Sequence, residues 1–207
     1  MYVVGLTGGI GAGKSTASYF FSQKGLPVYN SDLSAKILME QIDSLKSDII
    51  KAFGKQAYQA GGLNTKYLSQ KVFENPLHLK CLNALVHPWV SLDFKNWMCR
   101  HEAPYCIKET AILFEVGIHQ LCDLIITVTA PLDIRIKRII QRDKFDQAEI
   151  LKRIKNQWTD REKVSRSDII IENMGDIETL REKVDKLHVL ILELFRKKIL
   201  YVIKEYD

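Results

Sequence analysis

The chain lacks the features that mark several classes of protein. Its four cysteines are irregularly spaced and form no C-x-x-C pair, so the sequence predicts neither a zinc site nor a disulfide framework. Its longest apolar runs, such as Leu124–Val128 and Ile199–Ile203, are far shorter than the roughly 20 residues that a membrane-spanning helix needs. Because the first apolar run starts directly after Met1, no secretion signal fits. We therefore expect a cytoplasmic protein with reduced thiols and no membrane partner.

Strongly charged and repetitive segments are also missing. The formal net charge is +5, and no strongly basic face alternates with aromatic residues, so we expect no nucleic-acid partner. The guanine-reading motif N-K-x-D is absent as well. With 207 residues, of which 46% are hydrophobic, the chain is long enough for one α/β domain with appended segments.

The most informative motif that is present lies near the N-terminus. Gly8-Gly9-Ile10-Gly11-Ala12-Gly13-Lys14-Ser15-Thr16 fits the pattern G-x-x-x-x-G-K-[ST]. The apolar run Tyr2–Thr7 precedes it and a helical pattern from Ser15 to Lys24 follows, which is the strand–turn–helix context of a P-loop. Inward-pointing N–H groups and the helix N-terminus bind polyphosphate there. The motif predicts bound ATP or GTP, with Lys14 on the β- and γ-phosphates and Ser15 on Mg²⁺.

Five apolar runs predict buried parallel strands, at Tyr2–Thr7, Leu26–Asn30, Tyr105–Glu109, Leu124–Thr129 and Ile169–Glu172. Helical patterns lie between and after them, at Ser15–Lys24, about Leu33–Phe53, Asp133–Gln141, Gln147–Trp158 and Ile177–Phe195. In the last of these, apolar residues recur at helical spacing from Leu180 to Leu194, which predicts packing against the sheet. This alternation predicts a three-layer α/β/α fold with a five-stranded parallel sheet.

About seventy-five residues separate the second and third strands, more than one crossover helix needs. A turn at Gly61–Asn64 precedes a helical pattern over Thr65–Phe73, and Asn75-Pro76 starts another helix that we expect to end at His87-Pro88. We predict a helical insertion that receives the second substrate, and a lid in a later basic stretch. The predicted divisions are a core of 1–32, 104–141 and 167–207, an insertion of about 33–103 and a lid of about 142–166.

Asp32 follows the second predicted strand, at the carboxyl edge where parallel sheets bind ligands. A carboxylate there could deprotonate or orient an attacking hydroxyl group, as a phosphotransferase requires. It could equally cap the helix that starts at Leu33, because Asp is a favoured N-cap residue. The residues by themselves leave these two interpretations open.

Further candidates for the site lie within or after the predicted helices and strands. Arg138 and Arg142 share one face of a helix and fit the charge that phosphoryl transfer needs, although helix arginines often only contact solvent. Glu115 is either a polar group at the rim of the active site or an exposed loop acid. Asn173 and Gly175 follow the fifth strand, where loops approach the nucleotide base, but a simple turn also explains them.

Taken in order, these segments resemble the dephospho-coenzyme A kinase family over nearly the whole chain. The resemblance rests on Gly5–Thr16, Val28–Asp32, Phe53-Gly54, Gly62–Asn64, Val72-Phe73, His87-Pro88, Leu113–Glu115, Arg138 with Arg142-Asp143, Arg153-Ile154, Gln157, and Asp168 with Asn173 and Gly175.

The resemblance implies ATP-dependent phosphorylation of the ribose 3′-hydroxyl of dephospho-coenzyme A, with Mg²⁺ on Ser15. It implies that Asp32 is the catalytic base, that Lys14 and Arg142 act on the transferred phosphate, and that the region around Arg142 is a lid. The substrate-binding residues so implied are Asp32, His87, Glu115 and Arg138. The nucleotide-binding residues are Gly9, Gly11, Ala12, Gly13, Lys14, Ser15, Thr16, Asn173 and Gly175.

Two positions depart from the family pattern, and two other functions compete. Asn30 stands where the family usually has Asp, and Ala111 stands where it has Pro; neither alters the P-loop or Asp32. One competing function is a P-loop kinase for another small acceptor, such as a nucleoside or nucleoside monophosphate. The other is a regulatory NTPase that uses nucleotide as a switch. We expect a monomer or a weak homo-oligomer.

Overall fold

The computed structural model describes residues 1–59, 62–143 and 147–204, and the chain forms two compact units. The first contains Met1–Tyr29 and the chain from Glu102 onwards; the second is Asn30–His101. Gly61 of the predicted turn, residues 144–146 of the predicted lid and residues 205–207 of the predicted core lie outside the described residues. Within the described chain, no helix has both the length and the apolar character to cross a membrane.

The strands are β1 (Tyr2–Thr7), β2 (Val28–Asn30), β3 (Tyr58–Gln59), β4 (Gly62–Leu63), β5 (Tyr105–Glu109), β6 (Leu124–Thr129) and β7 (Ile169–Glu172). Five of them form one sheet in the order β2-β5-β1-β6-β7, while β3 and β4 pair antiparallel. Strand β1 pairs in parallel with β5 and β6, and β6 pairs in parallel with β7. The predicted α/β fold with a five-stranded sheet is confirmed.

Four of the five predicted strands have the predicted bounds, because each is a continuous or near-continuous apolar run; three of them are largely buried, and β7, at the edge of the sheet, is partly exposed. The exception is β2, which starts at Val28 instead of Leu26. The carbonyl oxygen of Pro27 accepts a hydrogen bond from the Ile107 N–H at 2.9 Å, but Pro27 has no N–H to return one. The strand therefore begins one residue after the proline.

The helices are α1 (Lys14–Ser22), α2 (Ser31–Gln41), α3 (Asp43–Phe53), α4 (Thr65–Glu74), α5 (Pro76–Met98), α6 (Leu132–Asp143), α7 (Gln147–Lys155), α8 (Asp160–Val164) and α9 (Ile177–Lys204). Short 3₁₀ turns lie at Lys55–Ala57 and Ile118–Leu121. Helix α7 ends before Trp158, the predicted end, and the short helix α8 was not predicted. Helix α9 continues well past Phe195.

The core of the first unit lies between the sheet and helices α1 and α9. Leu180, Val184 and Ile191 of α9 are buried in it, which confirms the predicted packing role of that helix. Leu194, which the helical spacing also placed in this stripe, is instead exposed, and the neighbouring Phe195 is buried. Phe195 stacks on Tyr2 of β1 with ring centroids 4.1 Å apart. The part of α9 around Phe195 thus covers the start of the central strand.

In the second unit, the prediction of one helix over Leu33–Phe53 is wrong. Two helices, α2 and α3, replace it, and Ile42 between them has an extended backbone with φ −94° and ψ 105°. Asp43 stands in the first turn of α3, where a negative charge favours a helix N-terminus. Because Leu45, Ile49 and Phe53 recur every fourth residue, α3 buries its own apolar stripe.

The predicted helix end at His87-Pro88 is also wrong. Helix α5 continues through Pro88 to Met98. An internal proline removes one backbone hydrogen bond and costs roughly 3 kcal/mol. On both sides of it, Val86, Val90 and Phe94 are buried at four-residue spacing, so packing of this face offsets the cost.

The half-buried imidazole of His188 predicts a pH-dependent stability. The Tyr105 hydroxyl lies 2.7 Å from Nδ1 of His188, and burial, helped by the charge of Lys24, lowers the pKa of His188 below its ordinary 6.5. The unfolded chain therefore takes up a proton at higher pH than the folded chain, and stability is lost as the pH falls from about 6.5 towards the lowered pKa.

We expect His188→Gln to reduce the fall in the free energy of unfolding between pH 7.5 and pH 5.5, measured by urea unfolding at both pH values. Tyr105→Phe is the matched control. It removes the hydroxyl partner but leaves the half-buried imidazole, so it should lower stability by about 1 kcal/mol at both pH values and keep the pH dependence. An unchanged pH dependence in His188→Gln would contradict the assignment.

Candidate active site

The P-loop connects β1, the central strand, to helix α1, and a side chain from beyond β7 supports its last turn. Gly13 has φ 102°, and a methyl group built on it would lie 2.2 Å from Nδ2 of Asn173, so a larger residue does not fit. Nδ2 of Asn173 donates to the Ala12 carbonyl oxygen at 2.8 Å. Asn173, predicted as a nucleotide contact, therefore fixes the backbone of the phosphate-binding loop.

Lys14 points into the loop. Only 9% of the residue is exposed, and its Nζ donates to the carbonyl oxygens of Gly8 at 2.9 Å and Gly9 at 3.4 Å. The two contacts hold the ammonium group against the curled backbone of the loop. The N–H groups of that backbone are the ones that bind phosphate in a P-loop. The arrangement gives the loop a fixed positive charge.

Ser15 contacts a carboxylate that the sequence analysis missed. Its Oγ donates to Oε1 of Glu109 at 2.8 Å. Glu109 is the last residue of β5, lies opposite Leu6 of β1 in the sheet, and is 5% exposed. A carboxylate that ends an otherwise apolar buried strand, at the edge where parallel sheets bind ligands, is the signal that could have identified it.

A cleft of about 250 Å³ lies beside the end of the P-loop. It is lined by Gly13, Thr16, Arg138, Asn173, Gly175, Asp176, Ile177 and Leu180. Within it, Nη1 of Arg138 donates to the Asn173 carbonyl oxygen at 3.2 Å. Arg138, predicted as a substrate contact, thus lies together with the residues predicted to bind the nucleotide.

Glu115 is not an exposed loop acid. Its side chain is 13% exposed, and Oε1 accepts hydrogen bonds from Nζ of Lys163 at 2.8 Å and from the Trp158 N–H at 2.9 Å. Nζ of Lys163, which is fully buried, also donates to the Ala111 carbonyl oxygen at 2.5 Å. Glu115 therefore joins the segment after β5 to helix α8, a role that the sequence did not reveal.

Asp32 lies in the first turn of α2 and is exposed, but it does not cap the helix. Asn30 is the N-cap residue, and its Oδ1 accepts a hydrogen bond from the Leu33 N–H at 2.9 Å. The interpretation of Asp32 as N-cap is therefore wrong. Because Asn and Asp cap helices about equally well, the departure at Asn30 preserves the start of α2.

The remaining two candidates lie on helices of different units. His87 is a half-buried residue of α5, and burial lowers its pKa below the ordinary value of 6.5, so the imidazole is neutral at neutral pH. Arg142 lies exposed in the last turn of α6.

Comparison with known proteins gives one consistent result. A family profile described as dephospho-CoA kinase matches residues 2–179. The dephospho-CoA kinase of Fusobacterium nucleatum is 36% identical over 185 residues, which cover 89% of this chain and 95% of the relative.

Two solved structures are similar over nearly the full length. TT1252 from Thermus thermophilus is 31% identical, with a TM-score of 0.80 and coverage of 91% of this chain and 96% of the other. The dephospho-CoA kinase from Campylobacter jejuni is 25% identical, with a TM-score of 0.65 and coverage of 92% and 97%.

The buried pair of Lys163 and Glu115 makes the stability of the first unit sensitive to either charge. Lys163→Met leaves the Glu115 carboxylate, whose Oε2 already has no hydrogen-bond partner among the described residues, without its cation. We expect the free energy of unfolding, measured by chemical denaturation, to fall by about 3 kcal/mol. Lys137→Met on the exposed face of α6 is the control and should change it by about 0.5 kcal/mol or less. A loss below about 1 kcal/mol for Lys163→Met would contradict the structural role of the pair.

Proposed function

This chain belongs to the dephospho-CoA kinase family, and we propose that it transfers the γ-phosphate of ATP to the ribose 3′-hydroxyl of dephospho-CoA, producing CoA. The observation that carries the proposal is the family match over residues 2–179, which includes the P-loop and the whole second unit. Neither competing function, a kinase for another small acceptor or a nucleotide switch, has support of this kind.

We assign the donor nucleotide to the first unit. The P-loop would bind the phosphates through its N–H groups, with Lys14 neutralising the charge that develops during transfer. We assign the adenine base to the cleft lined by Arg138, Asn173 and Gly175, which also contains Gly13 from the end of the loop. We therefore assign Arg138 to the binding site of the donor nucleotide and not to that of the acceptor, which the sequence analysis had predicted.

The residues around Ser15 fit Mg²⁺. Mg²⁺ prefers oxygen ligands, keeps several waters and binds through one or two carboxylates together with substrate phosphates. The Ser15 hydroxyl and the Glu109 carboxylate, 2.8 Å apart, are such a donor set. When bound, the metal would supply positive charge that offsets the negative charge of the phosphates. Glu109 in turn orients the Ser15 hydroxyl towards this position.

The acceptor is assigned to the second unit. We propose that Asp32 orients or deprotonates the attacking 3′-hydroxyl, because its carboxylate is exposed and the cap of α2 is supplied by Asn30. The helical insertion of about 33–103, with His87, would bind the rest of dephospho-CoA, and a neutral His87 would act there as a hydrogen-bonding group. The stretch that starts at Arg142 would form the lid that excludes water. The lid would end before the predicted bound of 166, because Lys163 is fully buried against Glu115.

The cellular setting completes the proposal. We expect a cytoplasmic enzyme that acts as a monomer or a weak homo-oligomer, without a nucleic-acid partner.

The function is tested by a coupled ADP-release assay with MgATP, with and without dephospho-CoA, together with the mass of the product. We expect ADP release to depend on the acceptor and the product to gain one phosphate. Lys14→Ala is the negative control, because it removes the charge at the phosphates. ADP release without an acceptor would favour the nucleotide switch, and turnover of nucleosides instead of dephospho-CoA would favour another acceptor kinase.

Asp32→Asn tests the proposed base. We expect kcat to fall by ~10²–10⁴-fold, the usual contribution of general-base catalysis, while the Kd of ATP measured by calorimetry stays near normal. Asp43→Asn is a matched control, because Asp43 is also an exposed acid in the first turn of a helix of the same unit. Near-full turnover in Asp32→Asn would rule out the assignment.

A further inference from the structure

The tip of the P-loop is held by a buried arginine that is not one of the assigned phosphate-binding residues. Arg135, in α6, is 6% exposed, and its Nε donates to the Ile10 carbonyl oxygen at 2.8 Å. A methyl group built on Gly9 would lie 2.1 Å from Nη2 and 2.5 Å from the central carbon of the guanidinium. The flat group therefore packs directly on the backbone of Gly9.

The other polar backbone atom of Ile10 is held as well. The Ile10 N–H donates to Oε1 of Gln157 at 2.9 Å. The side chains of Arg135 and Gln157 thus fix the two peptide groups that flank Ile10. Since the loop is made mainly of glycine, its own side chains cannot restrict its backbone in this way.

The charge of Arg135 is balanced by a carboxylate. Nη1 donates to both carboxylate oxygens of Asp160 at 3.1 Å. Asp160 is the first residue of α8, whose start is fixed by a capping box between Thr159 and Glu162. The guanidinium is therefore pinned between a rigid helix start and the P-loop, and a paired cation contributes less charge to the phosphates than an isolated one.

We propose that Arg135 and Asp160 are positioning residues for ATP binding. The pair acts as a brace that keeps the Gly9–Gly11 backbone in the conformation that receives phosphate, so less ordering remains to be done when the nucleotide binds. The inference rests on the proposed function only in taking ATP as the ligand of this loop.

Two roles for Arg135, a brace and a charge that attracts phosphate, predict different effects of the same two substitutions on ATP binding. Arg135→Lys keeps the charge but loses the planar group that bridges Ile10 and Asp160. Asp160→Asn keeps the shape but releases the charge of Arg135 towards the loop. If the pair is a brace, both variants weaken ATP binding. If Arg135 instead attracts phosphate through its charge, Arg135→Lys binds ATP as tightly as the wild type does, and Asp160→Asn binds ATP more tightly.

The experiment measures the Kd of MgATP by calorimetry without an acceptor, and steady-state kcat and both KM values. We expect Arg135→Lys, Arg135→Gln and Asp160→Asn each to raise the Kd and the KM for ATP roughly tenfold, which corresponds to about 1.4 kcal/mol, with the KM for dephospho-CoA unchanged. Arg196→Gln, on the exposed side of α9, removes the same charge from the same unit and should leave the Kd unchanged.

Thermal unfolding separates positioning from folding. The side chain of Asp160 is 28% exposed, so Asp160→Asn should fold even where Arg135→Gln does not. A lower Tm with an unchanged Kd for ATP would overturn the proposal, as would tighter binding in Asp160→Asn. If the wild-type protein does not phosphorylate dephospho-CoA but these variants still bind ATP more weakly, the brace is supported and the proposed acceptor is refuted.

Discussion

The structure depends on one constraint: a glycine-rich loop must hold a precise shape without side chains of its own to hold it. Three side chains from later in the chain supply the restraint. Asn173 binds the Ala12 carbonyl oxygen, Gln157 binds the Ile10 N–H, and Arg135 binds the Ile10 carbonyl oxygen. Two of the three contacts use backbone carbonyl oxygens, so they leave the N–H groups that a P-loop uses for phosphate untouched.

The parallel sheet makes this arrangement possible by collecting polar residues at one edge. The P-loop follows the end of β1, Glu109 ends the neighbouring strand β5, and Asn173 follows β7. Strands that are buried on both faces tolerate few polar groups along their length, so polar groups are found where the strands end. The hydroxyl of Ser15, the carboxylate of Glu109 and the amide of Asn173 thus converge on one loop although they are far apart in sequence.

Local patterns predicted the fold better than they predicted the site. The strands and the P-loop were readable because each is a continuous segment with its own signature. Two helix bounds were misjudged: the break at Ile42 was missed, and an end was predicted at Pro88, where α5 continues. Burial of Leu45 and Ile49 decides the first, and burial of Val90 and Phe94 decides the second. Glu109, Arg135 and the pair of Glu115 with Lys163 were missed, since each acquires its role from a partner 48 to 125 residues away, which no local pattern encodes.

The position of β1 at the centre of the sheet has a consequence for biogenesis. Tyr2 lies opposite Tyr105, and Val4 lies opposite Leu124, so β1 can find its neighbours only after these two later strands have been made. Such long-range pairing is slow, because a large loop must close before any contact rewards it. An apolar β1 therefore stays unpaired until β5 and β6 have been made, and during this time chaperones can protect it from aggregation.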